Sequence, residues 1–156
     1  MHEVLLDTNV FILFLAGQIN QNRIPQYCRN SRYSRSDYYF LVDMIKKFDH
    51  IVTSPNILTE VDNILNRLNG LDKAVYIALA GNIYTHSIEK YLHSKQVAQE
   101  WYFESLGLTD SAVLIMARSC DLLISADSVL CDYARSLGIN TFDFEEYKQN
   151  QIKNTR

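Results

Sequence analysis

Short apolar runs alternating with longer stretches of helical periodicity constrain this chain more than any other feature. Glu3–Leu6, His50–Thr53, Asp121–Ser125 and Ile139–Phe142 each read as a strand, and the segments between them carry apolar residues at helical spacing. Such alternation predicts an α/β fold with a mostly parallel sheet. The clearest helix spans Pro55–Leu68, where Ile57, Leu58, Val61, Ile64, Leu65 and Leu68 share one stripe, Pro55 stands near the start and Gly70 just past the end. Asp72–Ser105 reads as largely helical with a break near Thr85–His86, and Thr109–Ser119 and Ser128–Leu137 complete the helical set.

With 156 residues, 47% of them hydrophobic, the chain can build one well-packed unit and is short for two. Cys28, Cys120 and Cys131 are odd in number and scattered without CxxC spacing, which points to buried free thiols in a reducing compartment. No basic segment precedes an apolar N-terminal core, and Val10–Ala16 is too short to span a bilayer. A cytoplasmic protein without a membrane segment is therefore expected.

Acidic residues stand at telling places on this frame. Asp7 ends the first strand and, with Thr8 and Asn9, interrupts burial between two strongly apolar runs. An ionised carboxylate there is costly unless something pairs with it. Asp127 follows the strand "DLLIS" by one residue and opens a helix that runs to Gly138. Both acids thus sit at carboxyl ends of strands, where open parallel sheets bind ligands at the point of strand-order reversal. Asp110 starts another helix with Thr109 as a natural N-cap, and Glu60 lies on the shoulder of the Ile57/Val61/Ile64 stripe, able to reach the rim of the core. Each acid also has an ordinary explanation: Asp110 and Asp127 suit helix N-termini, and Glu60 suits a solvated helix face. Asp7 fits that explanation least, and the set of four is more telling than any member.

These residues resemble the PIN-domain nucleases. "LLDTNV" is similar to that family's first motif, with Asp7 as its acid and Thr8 and Asn9 as companions. Glu60 in "SPNILTEV" matches the family's helical glutamate, Asp110 in "LTDSAVL" the third acid and Asp127 in "ISADSVL" the fourth, preceded by Ser125 where the family has Ser or Thr. The resemblance runs from Leu5 to about Phe144. It implies a three-layer α/β/α sandwich and a metal-dependent endoribonuclease of the kind found as toxins of bacterial toxin–antitoxin pairs. RNA rather than DNA is then the implied substrate, with an antitoxin protein or a second copy of the chain as conceivable partners.

Elementary chemistry leads the same way. Converging carboxylates repel one another and take up protons unless a divalent cation neutralises them. Oxygen-only ligands suit Mg²⁺ or Mn²⁺, and His2, His50, His86 and His93 show no spacing that would favour zinc. A cation held by Asp7 and Asp110, helped by Asp127 and Glu60, would activate water for in-line hydrolysis of a phosphodiester. Thr8, Asn9 and Ser125 would orient carboxylates or waters, although strand-end turn chemistry accounts for Ser125 equally well.

A nucleic-acid substrate calls for positive charge, yet the formal net charge is −3. The charge is unevenly spread: no acid lies between Asp7 and Asp37, whereas "NRIPQYCRNSRYSR" carries Arg23, Arg29, Arg32 and Arg35 with Tyr27 and Tyr33 interleaved. Arg29, Arg32 and Arg35 could contact phosphates and the tyrosines could stack on unpaired bases; a solvated loop or a partner-binding surface fits the same residues. Asp132, one turn beyond Asp127, suits an exposed helix position. A haloacid-dehalogenase-like phosphatase would also place an Asp after the first strand, but it expects a second Asp where this chain has Asn9. A degenerate PIN-like module that binds RNA or a protein is the non-enzymatic alternative.

Overall fold

Val4, Leu5 and Leu6 have no exposed surface, as a strand covered by helices on both faces requires. In the computed structural model, which describes residues 1–28 and 32–156, they form β1 (Glu3–Leu6). The chain continues through α1 (Thr8–Asn20), a 3-10 turn (Gln21–Arg23), α2 (Ile24–Tyr27), α3 (Arg35–Ile45), β2 (His50–Thr53), α4 (Pro55–Leu65) and α5 (Gly70–His86). Then follow β3 (Ile88–Glu89), α6 (Ser94–Val97), α7 (Phe103–Ala117), β4 (Leu122–Ser125), α8 (Ser128–Ser136), β5 (Thr141–Asp143) and α9 (Phe144–Asn154).

Among the described residues five strands form one sheet in the order β3-β2-β1-β4-β5, and every pairing is parallel. Parallel neighbours need crossovers, and the helices supply them on both faces: α1 packs against α3, α4 and α5, and α7 against α6 and α8. The protein is a three-layer α/β/α sandwich, as expected. Its strand order reverses between β1 and β4, because the chain moves outward in one direction from β1 through β2 to β3 and then returns to the other side of β1. Asp7 extends this central pairing, since its N–H donates to Ile124 O at 3.0 Å.

The structure differs from the sequence reading in several elements: α1, α3 and α9 are helices outside the expected set, α7 starts at Phe103 rather than Thr109, and β5 is Thr141–Asp143 rather than Ile139–Phe142. Asp72–Ser105 is not one broken helix, because Ile88–Glu89 adds a fifth strand beside Val52 and Thr53. An edge strand this short has too few residues to show alternation. The helix begun at Pro55 ends at Leu65 rather than Leu68, with Asn66 as its C-cap. Gly70, at φ +59°, makes the left-handed turn that starts α5. The free cysteines match expectation in part: Cys28 and Cys131 are buried, whereas Cys120 is half-buried. Among the described residues, no helix is long and apolar enough to cross a membrane.

Candidate active site

Asp7 caps α1 at the carboxyl end of β1. Its Oδ1 accepts a hydrogen bond from Thr8 N at 2.8 Å, and its Oδ2 accepts one from the Ser125 hydroxyl at 2.8 Å. Ser125 closes β4, and its Oγ also accepts from Asp127 N at 3.0 Å. One buried hydroxyl therefore ties the acid after β1 to the backbone of the acid after β4, across the point where strand order reverses. Asp127 caps α8, its Oδ1 accepting from Leu130 N at 3.1 Å. Capping explains where Asp7 and Asp127 sit, but it leaves the burial of Asp7 without a payoff.

Glu60 projects from α4, where Ser54 and Pro55 start the helix and Ile57, Val61 and Leu65 anchor it in the core. Its Oε2 accepts from Thr8 Oγ1 at 3.0 Å and its Oε1 from Thr109 Oγ1 at 3.1 Å. Thr109 is thus not an N-cap. The turn ahead of Asp110 is made instead by Gly107, whose φ of 77° and ψ of −172° break α7, so that Asp110 lies in the first turn of the segment that follows. That glycine was the missed signal: it permits a left-handed backbone and leaves the threonine side chain free to turn to Glu60. Asn9 lies half-buried in the first turn of α1.

Electrostatics tie the four acids together. Burial, reinforced by the charges of Asp7, Asp127 and Glu60, pushes the Asp110 carboxyl up to about 7. Burial likewise raises Asp7, opposed by the hydrogen bonds from Ser125 and Thr8 and assisted by the charges of Asp127 and Glu60. The charges of Glu60 and Asp127 thus bear on both Asp7 and Asp110. Among the described residues, no three His, Cys, Asp or Glu side chains already stand at ligand spacing around one point. The carboxylates of Asp7, Glu60 and Asp127 are instead turned to hydrogen-bond donors of the protein. The donor set, all carboxylate oxygen with an excess of negative charge, fits a hard divalent cation such as Mg²⁺ or Mn²⁺. Because Ser125 is fully buried and donates to a buried carboxylate, Ser125→Ala is expected to destabilise the protein by about 1–3 kcal/mol at neutral pH, read from urea or thermal unfolding.

The basic segment is less uniform than its sequence suggests. Arg32 pairs with Glu145 in the first turn of α9 at 2.8 Å, which puts it near the carboxyl end of the edge strand β5. Arg35, at the start of α3, has its Nη1 3.5 Å from Asn22 Oδ1. Arg29 lies outside the described residues. The stacking role expected for the tyrosines is corrected: Tyr33 is buried edge-on against Phe144, and Tyr27 is buried with its hydroxyl on Asp72. Neither ring is exposed for stacking. Asp132 is exposed, beside Arg135 at 3.7 Å, and does not join the acids.

No family model matches the chain, and no curated protein matches it either.

Proposed function

We propose that this protein is a divalent-cation-dependent nuclease of the PIN type, an endoribonuclease, with the toxin of a toxin–antitoxin pair as its biological setting. The observation that carries the reading is the gathering of four acids beside the reversal of strand order: Ser125 joins Asp7, after β1, to the backbone of Asp127, after β4, and Glu60 takes hydroxyls from Thr8 and Thr109, the chain neighbours of Asp7 and Asp110. Asp7, Asp110 and Asp127 would hold Mg²⁺ or Mn²⁺, with Glu60 completing the cluster. When bound, the cation supplies charge neutralisation and Lewis acidity for phosphodiester hydrolysis. Water oxygen joins phosphorus as one ester P–O bond breaks, leaving a phosphomonoester and a free hydroxyl.

The chain's own groups prepare that reaction. Ser125 keeps Asp7 ionisable in a buried place by donating to it, and it fixes Asp127 through the backbone. Asp110, raised to about 7 by burial and its acidic neighbours in the cation-free protein, would be drawn into its charged, ligating form when a cation binds, so loading should release a proton near neutral pH. Incubation with labelled single- and double-stranded RNA and DNA tests the reading. Cleavage of RNA in Mg²⁺ or Mn²⁺, abolished by EDTA, is expected; EDTA-resistant cleavage, or none on any substrate, would overturn it.

Substrate contact by the arginines is tested separately. Glu145 offsets the charge of Arg32, but an exposed ion pair is worth little and a phosphate can compete for the guanidinium. Replacing Arg29, Arg32 and Arg35 together with Gln should weaken binding of single-stranded RNA and reduce the slope of log affinity against log salt by roughly 1–2. Titrations across a salt series in Ca²⁺ read the slope, and an unchanged slope removes these residues from the interface.

A further inference from the structure

Glu60 is gripped at both oxygens by hydroxyls from two other elements. Thr8 Oγ1 lies 3.0 Å from Oε2, and Thr109 Oγ1 lies 3.1 Å from Oε1. Each threonine is the chain neighbour of another acid in the cluster, Thr8 of Asp7 and Thr109 of Asp110. The carboxylate of α4 therefore spans the start of α1 and the bend of α7, joining three elements far apart in sequence.

From this geometry we infer that Thr109, together with Thr8, is a positioning residue of the site, holding Glu60 in one orientation and, through the backbone, setting Asp110 against Asp7. The inference rests on the nuclease reading above and adds to it a residue outside the four acids.

The physical grounds are specific. A carboxylate takes hydrogen bonds only as an acceptor, so each hydroxyl must donate, and the pair fixes the plane of the group. Threonine in a helix has only two common χ1 rotamers, so holding its hydroxyl on Glu60 costs little entropy. In a cluster of like charges the side chains tend to turn away from one another. Two neutral donors on Glu60 oppose that tendency without adding a cation that would compete for the site. Gly107 contributes as well, since its left-handed backbone brings Thr109 to Glu60 instead of to a capping position.

A plain structural role, in which the threonines merely satisfy a partly buried carboxylate, would lower stability and nothing else. Positioning makes further demands, and Thr109→Val separates the two because it keeps the shape and removes only the donor. Mn²⁺ binding to the full-length protein, read from the electron paramagnetic resonance of free Mn²⁺ without nucleic acid, should weaken by about tenfold in Thr109→Val. Thr109→Ser, which restores the hydroxyl, should return affinity to within about threefold of wild type. With labelled single-stranded RNA, kcat should fall in the valine variant while KM stays unchanged. Thr8→Val and Thr8→Ser form an independent pair should the Thr109 variant fail to fold. Wild-type Mn²⁺ affinity in folded valine variants at both positions would overturn the inference and leave the nuclease reading standing. Absence of Mn²⁺ binding by the wild type would overturn both.

Discussion

Asp7→Asn is expected to abolish cation-dependent cleavage, lowering the rate by roughly 10²–10³-fold or more, while the fold persists. Asparagine keeps the shape of the side chain and an oxygen that can accept from Thr8 N, so the cap on α1 survives. Ser125 can accept from the new amide instead of donating to a carboxylate. What disappears is the negative charge at the centre of the cluster. Since burial already opposes ionisation of Asp7, its removal should leave the cation-free protein as stable as wild type or more so, a usual consequence of neutralising a functional carboxylate. Cleavage of labelled RNA measured beside a thermal melt checks both halves, and unchanged cleavage would remove Asp7 from the reaction.

The second large effect is the pH dependence of stability at Asp110. Its carboxyl is raised from an ordinary 3.8 to about 7 in the folded protein. A group raised on folding stabilises fully below its unfolded value, and that contribution is lost as pH climbs through the folded value. Wild-type stability in EDTA should therefore decline between about pH 4 and pH 7 on account of this residue, and Asp110→Asn should remove the decline. At ~1.4 kcal/mol per unit, discounted for the residue's partial exposure, the variant should gain about 1–2 kcal/mol at pH 8. That corresponds to a rise in Tm of roughly 3–6 °C for a chain of this size. At pH 4 the gain should vanish. A gain of equal size at both pH values would mean that packing, not charge, is responsible.

How much was legible in the sequence followed from the length of each signal. β1 and β2 were read to their exact ends, because Val4–Leu6 and the His50–Thr53 run are bounded by turns and helix starts that leave no ambiguity. β3 was invisible: a strand of Ile88 and Glu89 is defined by its pairing with β2, a tertiary fact, and not by any local pattern. The stop of α4 at Leu65 was hidden because Leu68 continues the apolar stripe beyond the helix and packs on the core from a turn. At the site, Asp7 stood out because a charge inside an apolar run needs a reason. Thr109 did not, because a threonine before an aspartate at a helix start looks like a cap, and only Gly107 two residues earlier hinted otherwise. Tyr33 shows the reverse error, since an aromatic among arginines reads as a stacking platform until the fold buries it against Phe144.

The proposal that Asp7, Asp110 and Asp127, with Glu60, hold a divalent cation is tested most directly by a crystal structure of the protein with Mn²⁺, located by its anomalous scattering. The expected result is a peak between Asp7 and Asp110, at metal–oxygen distances of about 2.0–2.2 Å, with Asp127 turned toward it from the start of α8. A fully occupied ion elsewhere on the molecule, or no peak at these carboxylates at saturating Mn²⁺, would contradict the site.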